Sequence, residues 1–152
     1  MQPFMMIVVV GSTLGALLAW LRRGWVLVTV EGPSMLPTLD SGDRILVRRA
    51  NPSRIRVGQV VVVERPGDDG WVTPPLASWA VPPAGHRWIV KRAVAGPGDP
   101  VPAGVPDAGH ASVPPGCFVL LGDNRTESFD SRIFGFVPGS RILGPVRISQ
   151  HS

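Results

Sequence analysis

The sequence predicts a mainly β domain with tight turns and proline-rich loops, preceded by one N-terminal transmembrane helix. The β prediction rests on short runs of β-branched and aromatic residues, each bounded by Gly, Pro, Asp or Asn. The 152 residues allow one small domain. They include 18 Gly and 17 Pro, and an apolar fraction of 44% favours a compact body over a disordered one.

The first element is an uncharged apolar segment at residues 4–21. As a helix it would be about 27 Å long, close to the hydrocarbon core of about 30 Å. Two tryptophans and two arginines flank its end, as is typical of a membrane interface. No basic segment precedes it and no small-x-small site follows it, so we expect a retained anchor at residues 1–24 rather than a cleaved signal peptide.

The remainder, residues 25–152, is predicted to be one β-rich domain. Six runs predict strands, at 25–30, 44–47, 59–64, 87–94, 117–121 and 141–148. Two proline-rich stretches, about 66–86 and 100–116, predict loop excursions because proline cannot donate to a strand ladder. Cys117 is the only cysteine, which excludes a disulfide-built scaffold.

The charge pattern argues against a nucleic-acid module. The net charge is +4, but the basic residues are scattered in ones and twos instead of clustering on one helix or among aromatics. Fourteen of the fifteen are arginine, and Lys91 is the only lysine. No nucleic-acid partner is expected.

Two segments each carry one candidate catalytic side chain. In EGPSMLPTL at 31–39, Gly32 and Pro33 predict a turn that exposes the Ser34 hydroxyl beside free backbone N–H groups, although such turns are common. In WIVKRAVAGPGD at 88–99, Lys91 lies in an apolar strand. Desolvation there would lower its pKa and allow a neutral amine, while the alternative is a lysine that protects a sheet edge from aggregation.

A third segment, GDNRTESFDSRIFGFVP at 122–138, is rich in polar and charged side chains. Asp123, Arg125, Asp130 and Arg132 have the composition of an ion-pair cluster, and Ser128 adds a hydroxyl able to position an amine.

Together these segments, with GQVVVVERP at 58–66 and the apolar N-terminus, resemble the type I signal peptidases, membrane-anchored Ser/Lys serine proteases of peptidase family S26. The resemblance implies a signal-peptidase-like β fold in which Ser34 is the nucleophile and Lys91 the general base. It implies that the Ser34 N–H donates into the oxyanion hole and that Ser128 orients the lysine amine. A second donor found in some members is a serine where this chain has Gly32.

The same resemblance implies that Asp123, Arg125, Asp130 and Arg132 brace the site. With strand alternation, it implies shallow substrate pockets for small side chains. Their walls would be Val28, Val30, Met35, Leu39 and Val90. The substrate would be a preprotein or precursor peptide that adds as a strand. No metal or cofactor is expected, because the three histidines are far apart in the sequence and lack ligand spacing.

For localisation, the resemblance implies a single-pass protein of the cell membrane with an extracytoplasmic catalytic domain, whereas the positive-inside rule points the other way. The alternatives are a dedicated maturation peptidase for one precursor, such as a metalloenzyme or a biosynthetic-cluster peptide, and a non-catalytic, membrane-tethered peptide-binding β module. A self-cleaving repressor of the same Ser/Lys type would carry a DNA-binding domain where this chain has its apolar segment. The sequence leaves the oligomeric state open.

Overall fold

The computed structural model describes residues 24–71, 75, 87–106 and 109–147. The predicted anchor at residues 1–24 lies, apart from its last residue, outside these ranges. Within them, no helix is both long enough and apolar enough to cross a bilayer.

The described chain is mainly β, as predicted, and each of the six predicted runs contains a strand. The strands are β1 (Trp25–Thr29), β2 (Arg44–Arg48), β3 (Val60–Glu64), β4 (Trp88–Ala95), β5 (Cys117–Leu121), β6 (Val137–Pro138) and β7 (Ile142–Pro145). The sequence did not predict β6, nor the single-turn helix α1 (Ser131–Phe134) and the 3₁₀ turns Pro52–Arg54 and Gly139–Arg141.

Two antiparallel sheets form the body. β1 and β2 pair in a small sheet, and the other five strands form a sheet in the order β6-β5-β4-β3-β7. The sheets are joined where β2 meets the end of the large sheet. There Val47 bridges Val146, and the Ala50 N–H donates to the Leu143 carbonyl at 3.1 Å.

The central strand β3 is buried on both faces, which explains its unbroken valine run. Val60 and Val62 pack in one core with side chains from β1, β2 and β4. Val61 and Val63 face a second core that includes Phe118 of β5. Because β4 pairs with β3 along most of its length, the candidate base Lys91 sits beside the most deeply buried strand.

The described parts of the two proline-rich stretches contain none of the seven strands. Each has one isolated bridge, Gly67 with Gly70 and Pro100 with Ser112. The second stretch covers β4 and β5 with the buried side chains of Val105 and Val113. These segments are therefore excursions that extend the core instead of adding strands.

The junction between the sheets leads to a test of packing. A methyl group added at Gly144 would collide with the Arg48 carbonyl of β2. We expect Gly144→Ala to lower the free energy of unfolding by about 1–3 kcal/mol, because backbone on both sides leaves no room to relax. At Gly67 a methyl group would come no closer than 3.6 Å to a neighbour. Denaturant unfolding should therefore leave Gly67→Ala near the wild type, and equal stability of the two variants would contradict this account of the junction.

Candidate active site

The turn that carries Ser34 is fixed by its own backbone and by the core beneath it. Gly32 has φ +77°, a conformation that favours glycine, and its N–H donates to Ser41 Oγ at 3.1 Å. Met35 is fully buried in the first core. These contacts at both ends hold Ser34, which is itself half-buried, at the surface of the core.

Lys91 reaches this serine from the middle of β4. Its side chain is 2% exposed, and Nζ donates a hydrogen bond of 2.7 Å to Ser34 Oγ. Strand alternation puts Lys91 on the same face of β4 as Ala93, a member of the second core. The structure thus brings together the two side chains that the sequence singled out 57 residues apart.

Burial lowers the pKa of Lys91 from its ordinary 10.5 to about 8. The positive charges of Arg65 and Arg132 act in the same direction, while the carboxylates of Asp130 and Asp123 oppose them. A substantial fraction of neutral amine is therefore present at mildly alkaline pH. In that form the contact reverses, so that Ser34 donates its hydroxyl proton toward Nζ.

The polar segment after β5 closes over the serine from the other side. The Asn124 N–H donates to the Ser34 carbonyl at 3.0 Å. A methyl group on Gly122 would lie 2.6 Å from that same carbonyl and would collide with the Ser128 side chain. Only glycine allows this close approach of the two backbones.

Ser128 does not make the expected hydrogen bond to the lysine amine. Its Oγ is buried, and it has no partner within hydrogen-bonding geometry among the described residues. It packs on Gly122, close to the Ser34 backbone, and it helps to lower the pKa of Asp130. Its hydroxyl therefore faces the site without contacting the amine.

Asp123 ties three elements together. Its carboxylate accepts two hydrogen bonds from Arg92, at 2.8 and 2.7 Å, and a third from the Thr38 hydroxyl. Arg92 also donates to the Gly58 carbonyl at 2.7 Å. Hydrogen bonding to Arg92 is the main reason that the pKa of Asp123 is lowered. This network links β4, the Ser34 turn and the segment after β5 through one carboxylate.

Asp130 braces the other end of the segment. It caps α1 by accepting from the Arg132 backbone N–H, pairs with the Arg132 guanidinium at 2.9 Å, and accepts from the Gly122 N–H at 3.0 Å. Burial would raise its pKa, but the bonds from Arg132 and Gly122 prevail and lower it to about 2. Arg125 is exposed and forms no ion pair within the described residues, but its positive charge helps to lower the pKa of Asp123.

Two cavities open beside the pair. The nearer one, of about 70 Å³, is lined by Glu31, Ser34, Arg65, Arg87, Trp88, Ile89 and Val90. Its neighbour, of about 200 Å³, is lined by Leu27, Val28, Thr29, Glu31, Arg87 and Trp88.

Only Val28 and Val90, of the five predicted pocket walls, line these cavities. Val30, Met35 and Leu39 line neither cavity, although all five side chains belong to the first core and are at most 7% exposed. Alternation places a side chain on one face of a strand, but it does not reveal whether that face meets a cleft or the core.

Several residues of the site were not found from the sequence. Arg92, adjacent to Lys91, was overlooked as the partner of Asp123, although an arginine beside a candidate base is a signal worth testing. Arg65 and Arg87 were also overlooked. Arg65 follows one apolar run and Arg87 precedes another, so each looks like a solvated residue at the end of a strand. In the described ranges, no group of three His, Cys, Asp or Glu side chains is arranged to hold a metal ion.

One geometric feature bears on oxyanion stabilisation. Among the described residues, the Ser34 N–H donates no backbone hydrogen bond, so it can donate to an oxygen that binds beside Oγ. The Gly32 N–H is occupied by Ser41. Gly32 therefore offers neither a side-chain donor nor a free amide at the position where some signal peptidases have a second donor.

The lowered pKa of Lys91 implies a cost to stability. A shift of one unit corresponds to about 1.4 kcal/mol, so keeping this ammonium buried costs the folded state roughly 3 kcal/mol below pH 8. Between pH 8 and 10.5 the unfolded chain retains its proton while the folded chain releases it, and above 10.5 the cost is gone. We expect Lys91→Met to be more stable than the wild type at pH 7, by up to that amount, and to lose the advantage as pH rises toward 10.5. Chemical denaturation at several pH values measures this, and a pH-independent difference would contradict it.

Comparison with known proteins agrees with this geometry. Residues 4–107 and 103–150 match the family described as signal peptidase, peptidase S26. The chain is 30% identical over 139 residues to signal peptidase I of Leptolyngbya laminosa, covering 76% of this chain and 63% of the relative. It is 37% identical over 123 residues to the mitochondrial ATP-independent inner membrane protease subunit 1a of Arabidopsis thaliana, covering 76% and 64%.

A third relative is covered more fully. The mitochondrial inner membrane protease subunit 1 of Xenopus tropicalis is 32% identical over 155 residues, covering 91% of this chain and 82% of that protein. The chain spans slightly less than two thirds of the length of the two relatives above. The family match extends over nearly the whole chain and includes both the Ser34 turn and the Lys91 strand, and the chain therefore belongs to the signal peptidase family, peptidase S26.

Proposed function

We propose that this chain is a membrane-anchored serine endopeptidase that cleaves leader or signal peptides from exported preproteins after small residues. The observation that carries the proposal is the 2.7 Å contact between a buried lysine amine and a serine hydroxyl at the edge of a cleft. Family membership supports the reaction class. Ser34 acts as the nucleophile and Lys91 as the general base.

The reaction follows from the protonation of this pair. Neutral Lys91 Nζ accepts the hydroxyl proton as Ser34 Oγ bonds to the scissile carbonyl carbon, and the resulting oxyanion accepts from the Ser34 N–H. When the C–N bond breaks, the Lys91 ammonium returns the proton to the leaving amine. Water then attacks the acyl-enzyme with Lys91 again as base, and Ser34 is released with the peptide carboxylate.

The supporting residues hold this geometry without touching the reacting atoms. Asp123 and Asp130 fix the segment that contacts the Ser34 backbone. Ser128, whose side chain packs on Gly122 close to the Ser34 backbone, supports Asp130, whose pKa it helps to lower. In this way its positioning role is indirect.

The cleft favours a small side chain on the acyl side of the scissile bond. The cavity beside Ser34, about 70 Å³, has the volume of roughly two water molecules, so a methyl side chain fits and a large one does not. Residues 1–24 are proposed to anchor residues 25–152, the catalytic domain, to the cell membrane. An extracytoplasmic position of that domain suits a substrate that has already been exported.

The pair can be tested with the full chain in detergent and a preprotein bearing an Ala-x-Ala cleavage site. We expect Ser34→Ala and Lys91→Arg to lower kcat by about 10⁴-fold or more, since the guanidinium of arginine does not release its proton in this pH range. Ser140→Ala, a change at an exposed serine on a 3₁₀ turn, serves as the matched control. Activity of Ser34→Ala equal to that of Ser140→Ala would reject the nucleophile.

The pH dependence tests the base separately. Because Lys91 acts in its neutral form, kcat/KM should rise with pH with a midpoint near 8, and should fall about tenfold per unit well below it. Arg65 lowers this pKa, so Arg65→Gln should move the midpoint to higher pH, whereas Arg44→Gln, at an exposed arginine of β2, should not move it. A flat profile down to pH 5, or equal midpoints in the two variants, would exclude the assigned role.

A further inference from the structure

A second cavity, outside the catalytic cleft, has the charge of an anion site. It has a volume of about 490 Å³ and lies between the end of β2, the turn that follows it and the end of β7. Its lining among the described residues includes Arg48, Arg49, Arg54 and Arg147, and no acidic side chain. Arg48, Arg54 and Arg147 bring three like charges to this cavity, and a bound anion would relieve their mutual repulsion.

The shape of the guanidinium groups favours a phosphate over other anions. Each presents a planar set of donors that matches the oxygens of a phosphate. Asn51 and Ser53 add neutral polar groups to the same lining. Arg49 is half-buried in the same lining, and burial lowers the pKa of its guanidinium.

The position of the cavity favours a lipid headgroup as the source of this phosphate. The Arg49 N–H donates to the Gly24 carbonyl at 2.8 Å, and Trp25 is the strand partner of Arg48. Gly24 is the last residue of the proposed anchor. The cavity therefore lies directly beside the point where the chain would leave the bilayer.

An exposed apolar pair continues this surface. Leu27 of β1 and Leu46 of β2 are cross-strand partners and are 52% and 49% exposed. Alternation puts them on the same face of the small sheet as Trp25 and Arg48. Apolar side chains next to a cationic cavity fit the boundary between acyl chains and headgroups.

We propose that this arginine cavity binds the phosphate of an anionic phospholipid headgroup, with Leu27 and Leu46 against the acyl region. The inference rests on the proposed membrane anchor but not on the proposed chemistry of Ser34. Its effect is to hold the domain against the bilayer on one side of the small sheet. Such a contact restricts how the catalytic cleft faces a membrane-embedded substrate.

The test titrates lipids onto the detergent-solubilised full chain and counts bound molecules by native mass spectrometry. The probes are a short-chain phosphatidylglycerol, the phosphatidylcholine of equal chain length, and inorganic phosphate at equal ionic strength. We expect phosphatidylglycerol to bind the wild type about tenfold or more tightly than phosphatidylcholine. Equal binding of the two lipids would overturn the proposal, and this comparison requires no variant.

Variants then locate the site. Arg54→Gln/Arg147→Gln removes two exposed charges from the cavity, and Arg56→Gln/Arg125→Gln removes two exposed charges that lie neither in the cavity nor on the small sheet. The first should weaken phosphatidylglycerol binding about tenfold or more and the second should not. Equal losses would overturn the cavity assignment in favour of a diffuse charge effect. If the double variant unfolds, the single variant Arg147→Gln replaces it. Its affinity for phosphatidylglycerol should also fall, by a smaller factor.

The third probe separates the two sources of phosphate. Inorganic phosphate should compete only weakly, because it lacks the acyl contacts at Leu27 and Leu46. Displacement of phosphatidylglycerol by an equal concentration of phosphate would overturn the lipid assignment. Lipid binding is measured without a peptide substrate, so a Ser34→Ala protein that still binds lipid keeps this proposal independent of the peptidase activity.

Discussion

The contact between Lys91 and Ser34 constrains the rest of the structure. β4 places this side chain beside a strand that is buried on both faces, and the resulting desolvation lowers the pKa of the amine. The serine comes from a turn after a different sheet, and it is held in reach by backbone contacts from the segment after β5. Both sheets and the polar segment after β5 therefore contribute to the 2.7 Å hydrogen bond between Lys91 Nζ and Ser34 Oγ.

The bracing network shows how side-chain hydrogen bonds hold that distance in a small domain. Asp123 is hydrogen-bonded to Arg92 on the strand of Lys91 and to Thr38 in the turn of Ser34. One carboxylate therefore holds the Lys91 strand and the Ser34 turn in a fixed relation. Asp130 fixes the same segment to Gly122 and to α1, so the loop cannot shift at one end without disturbing the other.

Much of this could be predicted from local sequence. The strands were found because valine-rich runs stop at Gly, Pro and Asp, whereas the pairing of Ser34 with Lys91 came from the resemblance of three segments to the signal peptidases. β6 and α1 were missed because two or four residues carry no measurable periodicity. The partnership of Arg92 with Asp123, and the burial of Met35 and Leu39 in the core, depend on which faces meet in space, and strand alternation does not contain that information.

The single buried lysine also has a practical consequence for chemical modification. Ordinary lysines are almost fully protonated near pH 8, whereas about half of the Lys91 side chains are neutral there, since its pKa is about 8. It is the only lysine of this sequence, so a reagent that acylates lysine side chains has one target in it. The reagent has to be small to reach an amine on a residue that is 2% exposed, and the degree of labelling at Lys91 would report the accessibility of that amine.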